Sequence, residues 1–173
     1  MNTQALAIAG VTLIAALLIM AGEAVLSAFN ERVLRAKGAI EPPDDVIGRM
    51  RWAYPLSFVA MAIEGAMTGP APRDVLMWGL ALFGFAKALK LWAIASLGSR
   101  WSYRVLVLPG APLVTTGPYR VLSHPNYVAV VGEIASVAMI VWAPFTGVLA
   151  TIGFGALMLA RIRVEDRALG RVR

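Results

Sequence analysis

The chain has 173 residues, 59% of them hydrophobic, with 16 lysines and arginines against 10 acidic residues, a net charge of +6, one histidine and no cysteine. A soluble domain of this length has too much surface to cover to be this apolar, so the composition excludes an ordinary soluble protein and indicates a membrane protein. The lack of cysteine excludes disulfides, thiolate metal sites and thiol nucleophiles, and a lone histidine with no paired-ligand spacing argues against a transition-metal centre.

The first apolar run is Ala5–Met20, extended to Gly22 before Glu23 interrupts it. At about 1.5 Å per residue it comes close to the length of a bilayer core. No basic residue precedes it, so it lacks the charged start of a signal peptide and is predicted to be a retained transmembrane helix continuing toward Phe29. The polar segment Asn30–Arg51 follows, where Pro42, Pro43, Asp44 and Asp45 stop any helix. A second span covers Trp52–Met67 and carries Glu64, and Thr68–Arg73 is a short turn. A third span, Val75–Leu97, carries Lys87 and Lys90 and leads into a long polar stretch, Gly98–Ser123. A fourth span runs from Tyr127 to Trp142 and carries Glu133. Ala143–Gly147 is a tight reversal, and the fifth span, Val148–Ala160, ends in a charged tail. The last two spans are short and read as a hairpin. The predicted architecture is an all-α integral membrane protein of about five transmembrane helices, or four if the first is peripheral, in one domain over residues 1–173.

Charge sets the orientation. With the N-terminus outside, Arg32, Arg35, Lys37, Arg49 and Arg51 fall on the inner side. So do Arg100, Arg104, Arg120, Arg161, Arg163, Arg167, Arg171 and Arg173, whereas the outer loops hold only Arg73. This bias puts the C-terminus in the cytoplasm. The basic balance is then topology and attraction to anionic lipid headgroups, and no nucleic-acid partner is expected.

Glu23, Glu64, Glu133, Lys87 and Lys90 lie within or near the apolar spans. A charge at the centre of a membrane helix costs on the order of 2.5–3.5 kcal/mol on insertion scales, so each needs a reason to be there. Lys87 and Lys90 sit toward the inner end of their span and can snorkel to the interface. Glu23 reads as interfacial, and Glu64 as either an ion pair or an interface residue. Glu133, two turns inside the fourth span, is the best candidate to face a polar cavity. Gly153 and Gly155 read as close helix packing.

His124 and Tyr127 are three apart and share a face if a helix has begun there. Pro125 suits the first helical position, and Ser123 is a candidate cap. Arg161 and Glu165 are four apart at the inner end of the last span, the spacing of an ordinary helix ion pair. The loop Arg104–Arg120 is long enough to be functional, and Tyr103, Tyr119 and Tyr127 give it aromatic faces of the kind that hold a cation. Neither a phosphate-binding loop of the Walker type nor a dinucleotide fingerprint is present, which excludes a soluble Rossmann enzyme.

The stretch "PLVTTGPYRVLSHPNY" (Pro112–Tyr127), followed by "RIRVEDRAL" (Arg161–Leu169), resembles the isoprenylcysteine carboxyl methyltransferase family. The resemblance is strongest from Leu97 to Leu169. It is closest to short bacterial members similar to O-methyltransferases of long-chain alkylpyrones and alkylresorcinols, and "NERVLRAKGAIE" (Asn30–Glu41) supports that subgroup. The resemblance implies a membrane enzyme that uses S-adenosylmethionine bound on the cytoplasmic side, within residues 97–169. It implies that Leu113, Val114 and Tyr119 wrap the cofactor, that His124, Pro125, Asn126, Tyr127 and Glu165 bind it, and that Arg161 faces a lipophilic acceptor. Ser123 stands where the family has an arginine, and Arg104 where the eukaryotic enzymes have a glutamine; both departures bear on the acceptor. A carboxylate acceptor would need only Arg161 to orient it, whereas a hydroxyl acceptor would benefit from a base, for which Glu133 is the candidate. The readings that compete with this one are a membrane reductase using NADPH on a related scaffold and a non-enzymatic membrane module.

Overall fold

The computed structural model describes residues 2–43 and 46–170. Five helices follow in chain order: α1 (Thr3–Ala36), α2 (Ile47–Thr68), α3 (Arg73–Leu97), α4 (Pro125–Val141) and α5 (Pro144–Ala168). Short 3-10 turns at Gly98–Arg100 and Gly117–Arg120 punctuate the long connection between α3 and α4. Among the described residues the only strand-like pairing is one antiparallel bridge between Ile40 and Val107.

The all-helical integral membrane architecture expected from composition is what forms. Three helices, α1, α3 and α5, are long and apolar enough to cross a membrane. Helix α4 is equally apolar but spans only 17 residues. Helix α2 has 22 residues, but Arg49, Arg51 and Glu64 dilute its hydropathy. Large apolar side chains such as Val11, Ile14, Val25, Trp78, Phe85 and Ile152 point outward, the surface a lipid solvent requires. The interior is built where α2, α4 and α5 meet, from Phe58, Met61, Ile134, Val137, Ile140, Phe154 and Met158.

The helices overrun the spans read from hydropathy. Helix α1 begins at the Asn2 cap, whose side chain accepts from the Gln4 and Ala5 amides at 2.9 and 3.3 Å. It then continues past Phe29 to Ala36, about 51 Å in all, well beyond a bilayer core. The polar residues at its end are put to use. Asn30 Nδ2 donates to the carbonyl of Trp101 at 2.8 Å, and Ser27 Oγ accepts from the Tyr103 amide at 2.7 Å. Both therefore tie the α3–α4 connection to α1. Gly38, at φ 83°, ends α1 by turning the chain back so that the Ala39 amide reaches the Leu34 carbonyl at 3.0 Å. The segment behind it is pinned by Glu41, which accepts from Arg35 and, at 2.6 Å, from Arg104. Burial raises the Glu41 carboxyl, but the hydrogen bonds from Arg104 and Arg35 outweigh it and hold the group below its ordinary value. Asp44 and Asp45 lie outside the described residues. The "charged tail" is likewise not a tail: α5 remains helical to Ala168, which keeps Arg161 and Glu165 on a rigid element.

The reversal between α4 and α5 is tighter than five residues, because α5 already begins at Pro144. Trp142 takes the left-handed conformation at φ 56°, and the Ala143 amide closes onto the Ala138 carbonyl at 2.8 Å. Glu64 is neither ion-paired nor idle there. Its carboxylate accepts from the Phe145 and Thr146 amides at 3.0 and 2.7 Å, so it caps the start of α5 from another helix. Thr68 Oγ1 donates to the Trp142 carbonyl at 2.6 Å beside it. Two groups of contacts now define the two ends of the bundle. The end of α2 and the α4–α5 hairpin make one; the end of α1, the end of α3, the start of α4 and the end of α5 make the other.

Gly153 and Gly155 do not carry helix packing, since a Cβ on either would meet nothing within 4 Å. The close approach is at Gly65, where a Cβ would fall 2.2 Å from the Val141 carbonyl oxygen, and at Gly147, 2.3 Å from Ala138 Cβ. Gly65→Ala is expected to lower stability by about 1–3 kcal/mol through overpacking, with Gly153→Ala neutral or stabilising by up to about 1 kcal/mol. Thermal unfolding in detergent checks the pair, and an equal response at both positions would contradict this packing.

Candidate active site

His124 is the N-cap of α4 and Pro125 its first residue, as the proline predicts. Ser123 supplies no side-chain cap, so the capping expectation fails at that residue. Cap position turns the imidazole toward the end of α5, which carries two carboxylates there. Its Nδ1 lies 3.6 Å from Glu165 Oε2, and its Nε2 lies 3.1 Å from Asp166 Oδ1. The ring stacks on Tyr127, with centroids 5.4 Å apart and planes 16° from parallel.

Tyr127, one turn into α4, completes the join. Its hydroxyl donates to Glu165 Oε2 at 2.6 Å and accepts from Arg161 Nε at 2.9 Å. Arg161 is almost fully buried, and its Nη2 donates to the Tyr103 carbonyl. The i, i+4 pair read as an ordinary helix salt bridge thus meets on a third residue, the Tyr127 hydroxyl. Asn126 faces the other way, where its Oδ1 accepts from Trp101 Nε1 at 3.3 Å. Asp166 was not singled out by the sequence reading. Its adjacency to Glu165 is the signal that was available, because one imidazole with two nitrogens can engage both carboxylates.

The hydrogen bond to Glu165 and the charges of Glu165 and Asp166 raise the His124 imidazole above its ordinary value, with partial burial opposing them. A histidine with a raised folded-state value adds stability that is complete below its unfolded value of 6.5 and is lost as pH rises through the folded value. Melting temperature is therefore expected to fall as pH rises above about 6.5, and His124→Gln to flatten that slope. A wild-type slope that survives the substitution would assign it elsewhere.

The loop expected to wrap the cofactor lies against the end of α3. Arg100 Nη1 donates to the Pro112 carbonyl at 2.6 Å, and Pro118 is buried. Gly117, at φ 59°, has no room for a Cβ, which would sit 2.0 Å from Ser96 Oγ. Tyr119 is half-buried on the 3-10 turn, Val114 is half-buried, and Leu113 is 44% exposed. A cleft of about 510 Å³ opens beside the turn, lined by Trp92, Gly117, Arg120 and Val121.

Glu133 is placed elsewhere, in a second polar cluster deeper in the bundle. Its carboxylate, 1% exposed, lies 3.0 Å from Lys87 Nζ and 3.3 Å from Lys90 Nζ, and accepts from the Tyr54 hydroxyl. Both ammonium groups also hold Glu23, Lys87 at 3.3 Å and Lys90 at 2.6 Å. Neither lysine snorkels; both turn inward, and Glu23 is drawn in with them. Tyr103 links the two clusters, because its hydroxyl donates to Glu23 Oε2 at 3.2 Å while its carbonyl serves Arg161. Sequence reasoning singled out all four charges but not their pairing, and it missed Tyr54. No spacing rule connects four charges on three separate helices.

Comparison with known proteins agrees with this geometry. The model of the isoprenylcysteine carboxyl methyltransferase (ICMT) family matches residues 79–171, the part of the chain that holds both polar clusters' α4 and α5 residues. The chain is similar to a Bacillus subtilis (strain 168) protein named "Uncharacterized protein YpbQ", 32% identical over 158 residues, or 91% of this chain and 94% of the relative. It is also similar to an "Uncharacterized protein" of Haemophilus influenzae (strain ATCC 51907 / DSM 11121 / KW20 / Rd), 23% identical over 148 residues, or 85% and 86%. With the apolar helices and the juxtaposed His124, Tyr127, Arg161 and Glu165, these matches place the chain in the isoprenylcysteine carboxyl methyltransferase family of membrane methyltransferases.

Proposed function

We propose that the protein is an S-adenosylmethionine-dependent O-methyltransferase acting on a lipophilic acceptor within the membrane. The observation that carries this reading is the cluster His124–Tyr127–Arg161–Glu165, formed by bringing the start of α4 against the end of α5. Its chemistry fits the cofactor. Glu165 and Asp166 keep 28% and 22% of their side-chain surface and offer acceptors to an ammonium or ribose hydroxyls. The aromatic rings of Tyr127 and of Tyr119 on the loop suit a sulfonium. Leu113 and Val114 add apolar cover from the loop, and Pro125 and Asn126 fix the helix start that carries the site. When bound, S-adenosylmethionine supplies an electrophilic methyl group.

The residues of the chain then bind, align and exclude water. Alignment and desolvation of the two reactants supply most of the acceleration in such a transfer. Arg161 is forked, buried and positioned to orient an acceptor oxygen, and Glu133 is the candidate base for an acceptor that carries a hydroxyl. The cofactor enters from the cytoplasmic side, given the arginine-rich ends there, with the N-terminus outside the inner membrane. The acceptor enters laterally from the lipid. Incubation with isotopically labelled S-adenosylmethionine and membrane lipid extract, followed by mass spectrometry, is expected to show label in one lipophilic product as an ester or ether. Absence of labelled lipid, with oxidation of NADPH instead, would support a reductase.

A further inference from the structure

The buried tetrad Glu23, Lys87, Glu133 and Lys90 is larger than a structural clamp requires. One neutral pair would join two helices, and apolar residues would do so at least as well. In a membrane bundle, buried ionisable residues mark proton or substrate paths more often than scaffolding. Three observations point to a proton path. Glu133 Oε1 is buried yet accepts no hydrogen bond among the described residues, although Lys87 Nζ is 3.0 Å away, so one carboxylate lone pair stays open. The Tyr54 hydroxyl donates to the other oxygen. Tyr54 lies one turn along α2 from Met50, whose sulfur is 4.0 Å from Arg161 Nη1, so the tyrosine stands between the tetrad and the residue expected to face the acceptor.

Resting on the methyltransferase reading, we propose that Tyr54 relays a proton from an acceptor hydroxyl to Glu133, inside a cluster whose ammonium groups stabilise the oxyanion left behind. As the acceptor O–H bond breaks, its proton passes to the Tyr54 oxygen while the proton of Tyr54 passes to Glu133. Glu133 keeps that proton, while Lys87, Lys90 and Glu23 stay charged. One O–H bond has broken on the acceptor and one has formed on Glu133, and two ammonium groups against one carboxylate leave the cluster with a net positive charge beside the acceptor oxyanion. The cluster is faced by Glu23 from α1, Tyr54 from α2, Lys87 and Lys90 from α3, and Tyr103 from the connection, with Phe154 of α5 packed behind Tyr54 at 5.1 Å between ring centroids.

The test uses the full chain in lipid nanodiscs with a long-chain alkyl nitrophenol, whose phenolate absorbs visible light, and no cofactor. Relative to empty discs, the ratio of ionised to neutral probe is expected to rise about tenfold, with a protonated-carboxyl band appearing in the infrared. Glu133→Gln should lose the protonated-carboxyl band. Tyr54→Phe keeps the ring against Phe58 and Phe154 and should lose the ionisation shift without unfolding. With S-adenosylmethionine added, Glu133→Gln should slow transfer to an unactivated alkylphenol about 100-fold and recover most of that loss on an ionised nitrophenol. No ionisation shift in the wild type, or equal loss on both phenols, overturns the relay. Failure to bind S-adenosylhomocysteine counts instead against the methyltransferase reading, because the optical and infrared measurements need no cofactor.

Discussion

Lys90→Met is expected to be the most destabilising single substitution in the molecule, by about 3–5 kcal/mol. Lys90 is 2% exposed and holds Glu23 at 2.6 Å and Glu133 at 3.3 Å. The methionine fills nearly the same space, so the loss is electrostatic. Buried Glu133 and half-buried Glu23 would then share the one ammonium of Lys87 in a low-dielectric interior. Since proteins are stable by only about 5–15 kcal/mol, such a loss reduces the folded yield in membranes. The double variant Lys90→Met with Glu133→Gln restores charge balance and is expected to recover part of the loss. Thermal unfolding of the purified proteins, with expression level as a second readout, checks both. A single variant within about 1 kcal/mol of wild type would show that the tetrad is not a closed charge unit.

Arg161→Lys is expected to reduce turnover on the order of 10- to 100-fold although the charge is kept. Arg161 works as a fork: Nε donates to the Tyr127 hydroxyl at 2.9 Å while Nη2 donates to the Tyr103 carbonyl. A lysine ends in one point and cannot satisfy both at that spacing. The Tyr103 carbonyl and Tyr127 hydroxyl lose their common partner, and the link between the two polar clusters goes with it. Cofactor affinity should change less than turnover, because the His124–Glu165 contacts are made by other residues. Turnover and S-adenosylhomocysteine affinity measured side by side separate the two. A variant with wild-type turnover would remove Arg161 from the reaction.

The helical architecture was legible because apolar runs of bilayer length are a strong signal, and the residues that meet between α4 and α5 stood out because two short motifs carry them. The helix ends were not. Asn30 and Ser27 read as the end of a span, whereas they extend α1 beyond the lipid and hold residues 101 and 103. The fifth span read as ending at Ala160 because the arginines lower its hydropathy, although a helix that leaves the bilayer gains water-exposed carbonyls and favourable cations at its C-terminal end. Lys87 and Lys90 read as snorkelling because a local rule sees only the distance to the interface. Their partners lie 64, 46, 67 and 43 residues away in sequence, at Glu23 and Glu133. Pairing at that distance depends on which helices pack, and hydropathy does not encode it. Glycine carried a similar ambiguity: Gly153 and Gly155 share a motif but face open space, whereas isolated Gly65 touches the backbone of α4.

Calorimetric titration of S-adenosylhomocysteine into the wild type, His124→Ala and Glu165→Ala tests the central claim most directly. The cluster joining α4 to α5 predicts measurable binding to the wild type and loss of that binding in both variants, with their folding intact by circular dichroism. Unchanged affinity in both variants, or no binding to a folded wild type, would contradict it.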